Sequence, residues 1–264
     1  MPPEPLLAAF DVGAFVKFLH WDADIGRALW TTVYVSVAAQ VLGTVLGLFG
    51  ALAAMSSAWP LRVLGGLYVW FFRGTPVIVQ IFFWFYGASI LFGVDIFPRE
   101  FSFGFMSVQG AALAGITALA INEGAYMSEI VRAGISSVDR GQTEAALSVG
   151  MTQRQAMRRI VLPQAARVIV PGLGNEFNNM LKTSSLLTFI GVYELFQDAQ
   201  VKLSASFQPV EVYIAVALWY LLLTTIWSLV QVRIERRLGR SELAEEEPWY
   251  TRLLGVGAPR PRYM

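Results

Sequence analysis

From Ala28 to Pro60 the chain contains no Asp, Glu, Lys or Arg, and apolar runs with few charges recur as far as Val232. A helix of about 20 such residues is long enough to cross the roughly 30 Å hydrocarbon layer of a bilayer. Hydrophobic residues make up 55% of the chain and charged residues 15%, where a soluble domain averages about 25% charged. A bilayer accounts for that excess better than a large water-soluble core. The sequence therefore predicts an all-α membrane protein with about five transmembrane helices.

Other classes are excluded by what is missing. A net charge of +1 and a pI near 8.0 give no general attraction to nucleic acid. Without cysteine there are no disulfides, thiolate nucleophiles or cysteine metal sites, and the single histidine, His20, cannot hold zinc alone. Residues 1–10 carry Glu4 and no basic residue, unlike the charged start of a secretory signal. The first apolar run is expected to be retained as a span.

Residues 1–27 mix Asp11, Lys17, Asp22, Asp24 and Arg27 with Phe15, Phe18 and Trp21, a pattern for an extracytoplasmic interfacial segment with aromatic rings at headgroup depth. Span one is expected from Trp30 to Met55. Within it Gly43 and Gly47 form GxxxG, which permits close helix approach either inside one subunit or across a dimer. Arg73-Gly74-Thr75-Pro76 breaks the chain before span two, Val77 to Gly93. Span three runs from Val108 to Ile130, span four from Val168 to Val192, and span five from Val212 to Val232. The transmembrane domain covers 28–237 and a polar tail 238–264. Segments after spans one, three and five hold most arginines, which places the N-terminus outside, the C-terminus inside, and loop 133–166 in the cytoplasm.

Several polar residues fall inside these spans, where a central charge costs roughly 2.5 to 3.5 kcal/mol on insertion scales and must face protein or water. Asn122, Tyr126 and Glu129 share one helical face and Glu123 begins the next stripe. Asn175, Asn178, Asn179 and Lys182 cluster on span four. One reading makes Arg73, Gln80, Asn122, Glu123, Tyr126, Glu129, Asn178, Lys182 and Ser184 a substrate path, with Asn122, Glu123 and Asn178 on the charged groups of a zwitterion. The other makes them a network between spans, including a Glu129–Lys182 or Glu129–Arg132 pair. Arg73 fits a cytoplasmic-side anchor better than a ligand.

The loop EAALSVGMTQRQAMRRIVLP, Glu144 to Pro163, reads as two short helices meeting at Gly150. Thr152-Gln153-Arg154-Gln155 fits a capping box, Gly150 suits the left-handed residue that closes a helix, and Pro163 is expected to stop the second helix. Ala145, Ala146 and Val149 offer a small apolar face beside Glu144; Arg154, Arg158 and Arg159 make the second helix basic. Such a hairpin suits either a cleft on a partner or an anionic lipid surface.

The spacing Glu144-Ala145-Ala146, Gly150, Ile160, Leu162-Pro163 resembles the EAA loop of permease subunits in bacterial ABC importers. Arg73 to Pro76 with Gln80, the run NEGAYMSEIVR from Asn122, Gly141-Gln142, and KTSSL from Lys182 resemble the polar amino-acid branch of that family. The resemblance implies a type I permease fold in the bacterial inner membrane. It implies that Gly141, Gln142, Glu144, Ala145, Ala146, Gly150, Ile160, Leu162 and Pro163 couple to a cytoplasmic ATP-binding subunit. A second permease, the same or a related chain, and an extracytoplasmic amino-acid-binding protein are implied as partners. This chain binds no cofactor under that reading, ATP-Mg lying on the partner, and it has no GxxxxGK[ST] loop. Glu123 and Thr183 depart mildly from the family pattern. The alternative, an ion-gradient-driven secondary transporter, would show paired broken helices, and only one break is present. An intramembrane serine hydrolase would want a GxSxG motif, which is lacking.

Overall fold

The computed structural model describes residues 10–103 and 106–237. Helix α1 (Val12–Leu19) is capped by Asp11, whose Oδ1 accepts from Ala14 N. Helix α2 (Ala23–Ala54) is 32 residues long, about 48 Å at 1.5 Å per residue. Asp22 caps it, accepting from Ile25 N at 2.7 Å. Helix α3 (Trp59–Gly74) has proline in its first turn, where the missing donor has no partner to lose. It ends at Thr75, held extended (φ −113°, ψ 144°) as the residue before a proline is. Helix α4 (Val77–Phe82), a π turn (Phe83–Gly87) and helix α5 (Ala88–Phe92) follow. The break at Thr75–Pro76 thus divides a bent pair rather than simply preceding a span: α3 is a helix in its own right.

A two-stranded antiparallel ribbon, β1 (Glu100–Phe103) and β2 (Met106–Gln109), is an addition to the all-helical expectation. Helix α6 (Gly110–Ser136) carries span three. Helices α7 (Arg140–Ser148) and α8 (Gln153–Ala156) form the loop hairpin. Helix α9 (Leu162–Thr183) carries most of span four and tightens into a 3-10 turn, Ser184–Ile190, closed by Gly191 at φ 78°. Helix α10 (Leu195–Ser206), absent from the sequence expectation, precedes α11 (Pro209–Arg237). By length and apolarity α2 and α11 can each cross a membrane, and the bent pair 59–74 and 77–92 qualifies as one broken span. Helices α6 and α9 are long enough but are not among the helices that reach that apolarity.

The chain divides into two compact units. Unit one takes the described residues up to Ala39, Val77–Leu119 and Met180–Thr224; unit two takes Gln40–Pro76, Ala120–Asn179 and the described residues from Thr225. Unit one has two apolar clusters. Val35, Ile81, Ile116, Leu119 and Leu187 anchor the first. Ala28, Leu195, Ala199, Val212 and Val216 anchor the second. At the end of α10 Phe207 stands at φ 57°, the one positive-φ residue other than glycine among those described, a strain of order 1–3 kcal/mol.

Unit two relies on close backbone approach. A side chain at Gly43 would begin 2.7 Å from Glu123 Cβ, and one at Gly47 would meet Met127 and lie 2.9 Å from Gly124 O. The GxxxG pair of α2 therefore packs on α6 of the same chain, which decides between the two uses open to it. Gly65 of α3 closes in the same way on Ala54 N, 2.8 Å from where its Cβ would be.

Candidate functional site

Asp139 opens the loop hairpin. Its Oδ1 accepts from Gly141 N at 2.6 Å and its carbonyl from Gln142 N at 3.1 Å, so Gly141 and Gln142 form the first turn of α7. The helix closes in a Schellman arrangement: Met151 N donates to Ala146 O at 3.1 Å and Gly150 N to Leu147 O at 3.0 Å, with Gly150 at φ 88°. The capping box then starts α8. Gln155 N donates to Thr152 Oγ1 at 3.3 Å, and Thr152 N to Gln155 Oε1 at 2.8 Å. These devices use only backbone and neighbouring side chains, which is why they were readable in the sequence.

Two expectations about the hairpin need correction. Ala145, Ala146 and Val149 do not share a face: Ala146 is 6% exposed and turned inward, while Val149 is 76% exposed and Ala145 and Glu144 are exposed. Small size at position 146 serves packing of α7 against α8 and the turn after it. Pro163 does not stop the second helix. A π turn, Met157–Val161, joins α8 to α9, with Leu162 N donating to Met157 O. The wider turn accommodates a ring that would clash in a regular α-helix. Ile160 is half-buried, Leu162 and Pro163 are exposed, and Gln164 Nε2 donates to Ile160 O at 3.0 Å.

The polar residues proposed from the sequence as a substrate path form two groups in unit two. At the end of α3, Asn122 Nδ2 donates to Phe72 O at 2.8 Å and the Arg73 guanidinium sits 5.1 Å from the centre of the Tyr126 ring. One turn on, Glu129 takes a bidentate pair from Arg132, at 3.0 and 2.6 Å. Of the two ion pairs considered for Glu129, this is the one observed. Glu123 belongs to the second group: it is buried between α6 and α2 and accepts from Gln40 Nε2 at 3.0 Å. Gln40 was not anticipated, although it is a rare amide in a charge-free run. Gln40 Oε1 and, on α9, Asn178 Oδ1 are buried acceptors without a hydrogen-bond donor.

Gln80, Lys182 and Ser184 lie in unit one. Gln80 is buried on α4 and Lys182 is exposed. The Ser184 hydroxyl donates to Leu181 O at 2.9 Å, so it serves the transition from α9 to the 3-10 turn. Sequence reasoning also missed a polar network of this unit. Glu194, 1% exposed, caps α10 by accepting from Gln197 N at 2.8 Å and takes the Tyr220 hydroxyl at 2.6 Å. Burial raises its carboxyl to about 7, against the hydrogen bonds from Phe196 N, Tyr220 and Gln197 N. Thr32 Oγ1 accepts from Leu195 N at 3.2 Å, and Lys202 bridges Asp198 and Asp22 at 2.8 and 3.3 Å.

Comparisons with known proteins bear on this arrangement. The chain is 40% identical to the probable amino-acid permease protein YxeN of Bacillus subtilis over 214 residues, 81% of this chain and 91% of that one. It is 38% identical to the L-cystine transport system permease protein TcyB of the same organism, covering 82% and 87%. Among solved structures, a chain of an amino acid ABC transporter crystallised with histidines superposes with a TM-score of 0.74 at 38% identity, over 87% of this chain and all of that one. Residues 43–240 match the family described as binding-protein-dependent transport system inner membrane component. The hairpin, the helical architecture and these matches together make the chain a member of that family, an inner-membrane permease subunit of an ABC importer.

Proposed function

We propose that this permease subunit moves a polar amino acid and is driven by a separate ATP-binding subunit docked on the α7–α8 hairpin. The observation that carries the reading is the hairpin itself: a Schellman turn and a capping box hold it rigid while Glu144, Ala145 and Val149 stay exposed. ATP-Mg belongs on the partner, and this chain has no catalytic site of its own. Its relatives' names support an amino-acid cargo. The buried acceptors of unit two, Glu123, Gln40 Oε1 and Asn178 Oδ1, suit the ammonium that every amino acid carries. Partners are completed by a second permease, the same chain or a related one, and an extracytoplasmic binding protein.

Topology follows from charge. Of the sixteen Lys and Arg among the described residues, eleven lie in the segments after spans one, three and five, Lys17, Arg27, Arg99 and Lys202 lie on the opposite side, and Lys182 lies within span four. Positive charge is retained on the cytoplasmic side, which supports an outer N-terminus, an inner C-terminus and a cytoplasmic hairpin. The transmembrane domain is 28–237; the proposed cytoplasmic tail, 238–264, lies outside the described residues.

The test is reconstitution in liposomes with the cognate ATP-binding subunit and binding protein. ATP-dependent uptake of a polar amino acid, and loss of the ATP-binding subunit from the purified complex in Glu144→Arg and Gly150→Val variants that remain folded, are expected. Uptake under an ion gradient without ATP would instead establish a secondary transporter.

A further inference from the structure

The strained Phe207 has no role in the permease cycle outlined above, and its surroundings point to one. It is 85% exposed, and neighbouring Val210 on the first turn of α11 is 56% exposed. The corner is tied to the N-terminal segment by two polar contacts in unit one: Asp11 N donates to Glu211 Oε1 at 2.8 Å, and Lys202 of α10 pairs with Asp22 at 3.3 Å. Helix α1 is thereby held beside the α10–α11 corner, with Val12 and Val16 exposed at 62% and 55% and Lys17 outward among them.

We infer that α1 and the Phe207 corner form one composite anchor seated in the bilayer's headgroup layer. The apolar patch continues from Val210 into exposed Ile214, Leu218 and Leu221 of α11, a helix long and apolar enough to cross the membrane. A surface running unbroken into a membrane-facing stripe is covered by the same lipid, its rim at the depth where aromatic rings and lysine stems settle. A helix end in the left-handed conformation ordinarily takes glycine. A phenylalanine kept there projects its ring from the corner, and an insertion role explains a side chain that the local backbone disfavours. The inference rests on membrane residence alone, so it stands or falls separately from the cargo and from the ATP-binding partner.

The absence of cysteine allows single-site nitroxide labelling of the full chain without background removal. F207C and V16C, labelled and reconstituted in vesicles of phosphatidylethanolamine and phosphatidylglycerol, are to be measured for collision with oxygen and with a water-soluble nickel chelate. Oxygen collisions exceeding nickel collisions at both positions are the expected result. Nickel collisions in excess would place the patch in water and overturn the anchor. Protection from both probes would mean that protein covers the patch, a second copy or a soluble partner, and would overturn it equally. Because V16C leaves the corner unmodified, damage by F207C cannot mask the answer.

Discussion

The two units are cut from the same four long helices, α2, α6, α9 and α11, yet they hold those helices by different means. In unit two, glycines bring backbone against backbone: Gly47 faces Met127 Cβ and the Gly124 carbonyl, and Gly65 faces Ala54 N. In unit one Gly110 likewise sits against the Pro98 carbonyl, but Gly115 on α6 faces the side chain of Leu187, and helix ends are joined by side chains such as Glu194 and Tyr220. A side chain can choose another rotamer, whereas two backbones in contact have nowhere to go. The difference teaches where each contact is brittle: those of α2 with α6 and α3 in unit two to added volume, the Glu194 site of unit one to lost polar partners.

The sharpest break of that comparison is a pair of identical substitutions. Gly47→Ala is expected to cost about 3 kcal/mol, the upper range for overpacking, and Gly115→Ala less, about 1–2 kcal/mol, since the atoms it meets are the far end of one buried side chain rather than backbone. Thermal midpoints in detergent decide it, and equal losses would remove the distinction. Next comes Glu194→Ala, which strands the Tyr220 hydroxyl and the Gln197 amide in a buried site and should cost about 2 kcal/mol. The wild type adds a pH signature. With the folded carboxyl raised to about 7 from its usual 4.5, the folded state binds more protons between those values, so stability is greatest below about 4.5 and falls as pH rises toward 7. Glu194→Gln should flatten that slope in unfolding measured across the window.

Smaller effects probe the hairpin and the surface. Thr152→Ala removes one half of the capping box and should cost about 1 kcal/mol, visible as faster hydrogen exchange in Gln153–Ala156 with the core protection of unit one unchanged. Arg132→Ala breaks a half-exposed pair one turn apart on α6 and should cost no more than about 0.5 kcal/mol. A larger loss would mean that Arg132 has partners beyond Glu129.

These contrasts also mark what could be read from the residues. Local chemistry was legible: the capping box at Thr152, the left-handed turn at Gly150 and the break at Thr75–Pro76 each depend on neighbours within a few positions. What Pro163 does was not, because a proline signals a stop unless a π turn makes room, and nothing in MRRIV announces one. The polar stripes of α6 were visible by periodicity, but their partners were not: Phe72 offers a backbone carbonyl, which carries no sequence signal, and Gln40 lies 83 residues from Glu123. Helix α10 was missed because half of its residues are polar and its cap is a glutamate, Glu194, which sequence rules place less often than serine or aspartate.

The π turn before Pro163 has a mechanical consequence. From Gln153 to Thr183 the helical path is uninterrupted, running from the capped start of the hairpin to the polar residues of α9. Such a path behaves as a shaft: a torque applied at one end is delivered at the other rather than dissipated in a flexible joint. Two points soften it: the widened turn at Met157–Val161, where one more residue is accommodated than a regular helix holds, and Pro171 within α9, which removes one backbone donor. The compliance of the shaft therefore lies at two places, one beside the hairpin and one just before the stretch that bears Asn175 and Asn178.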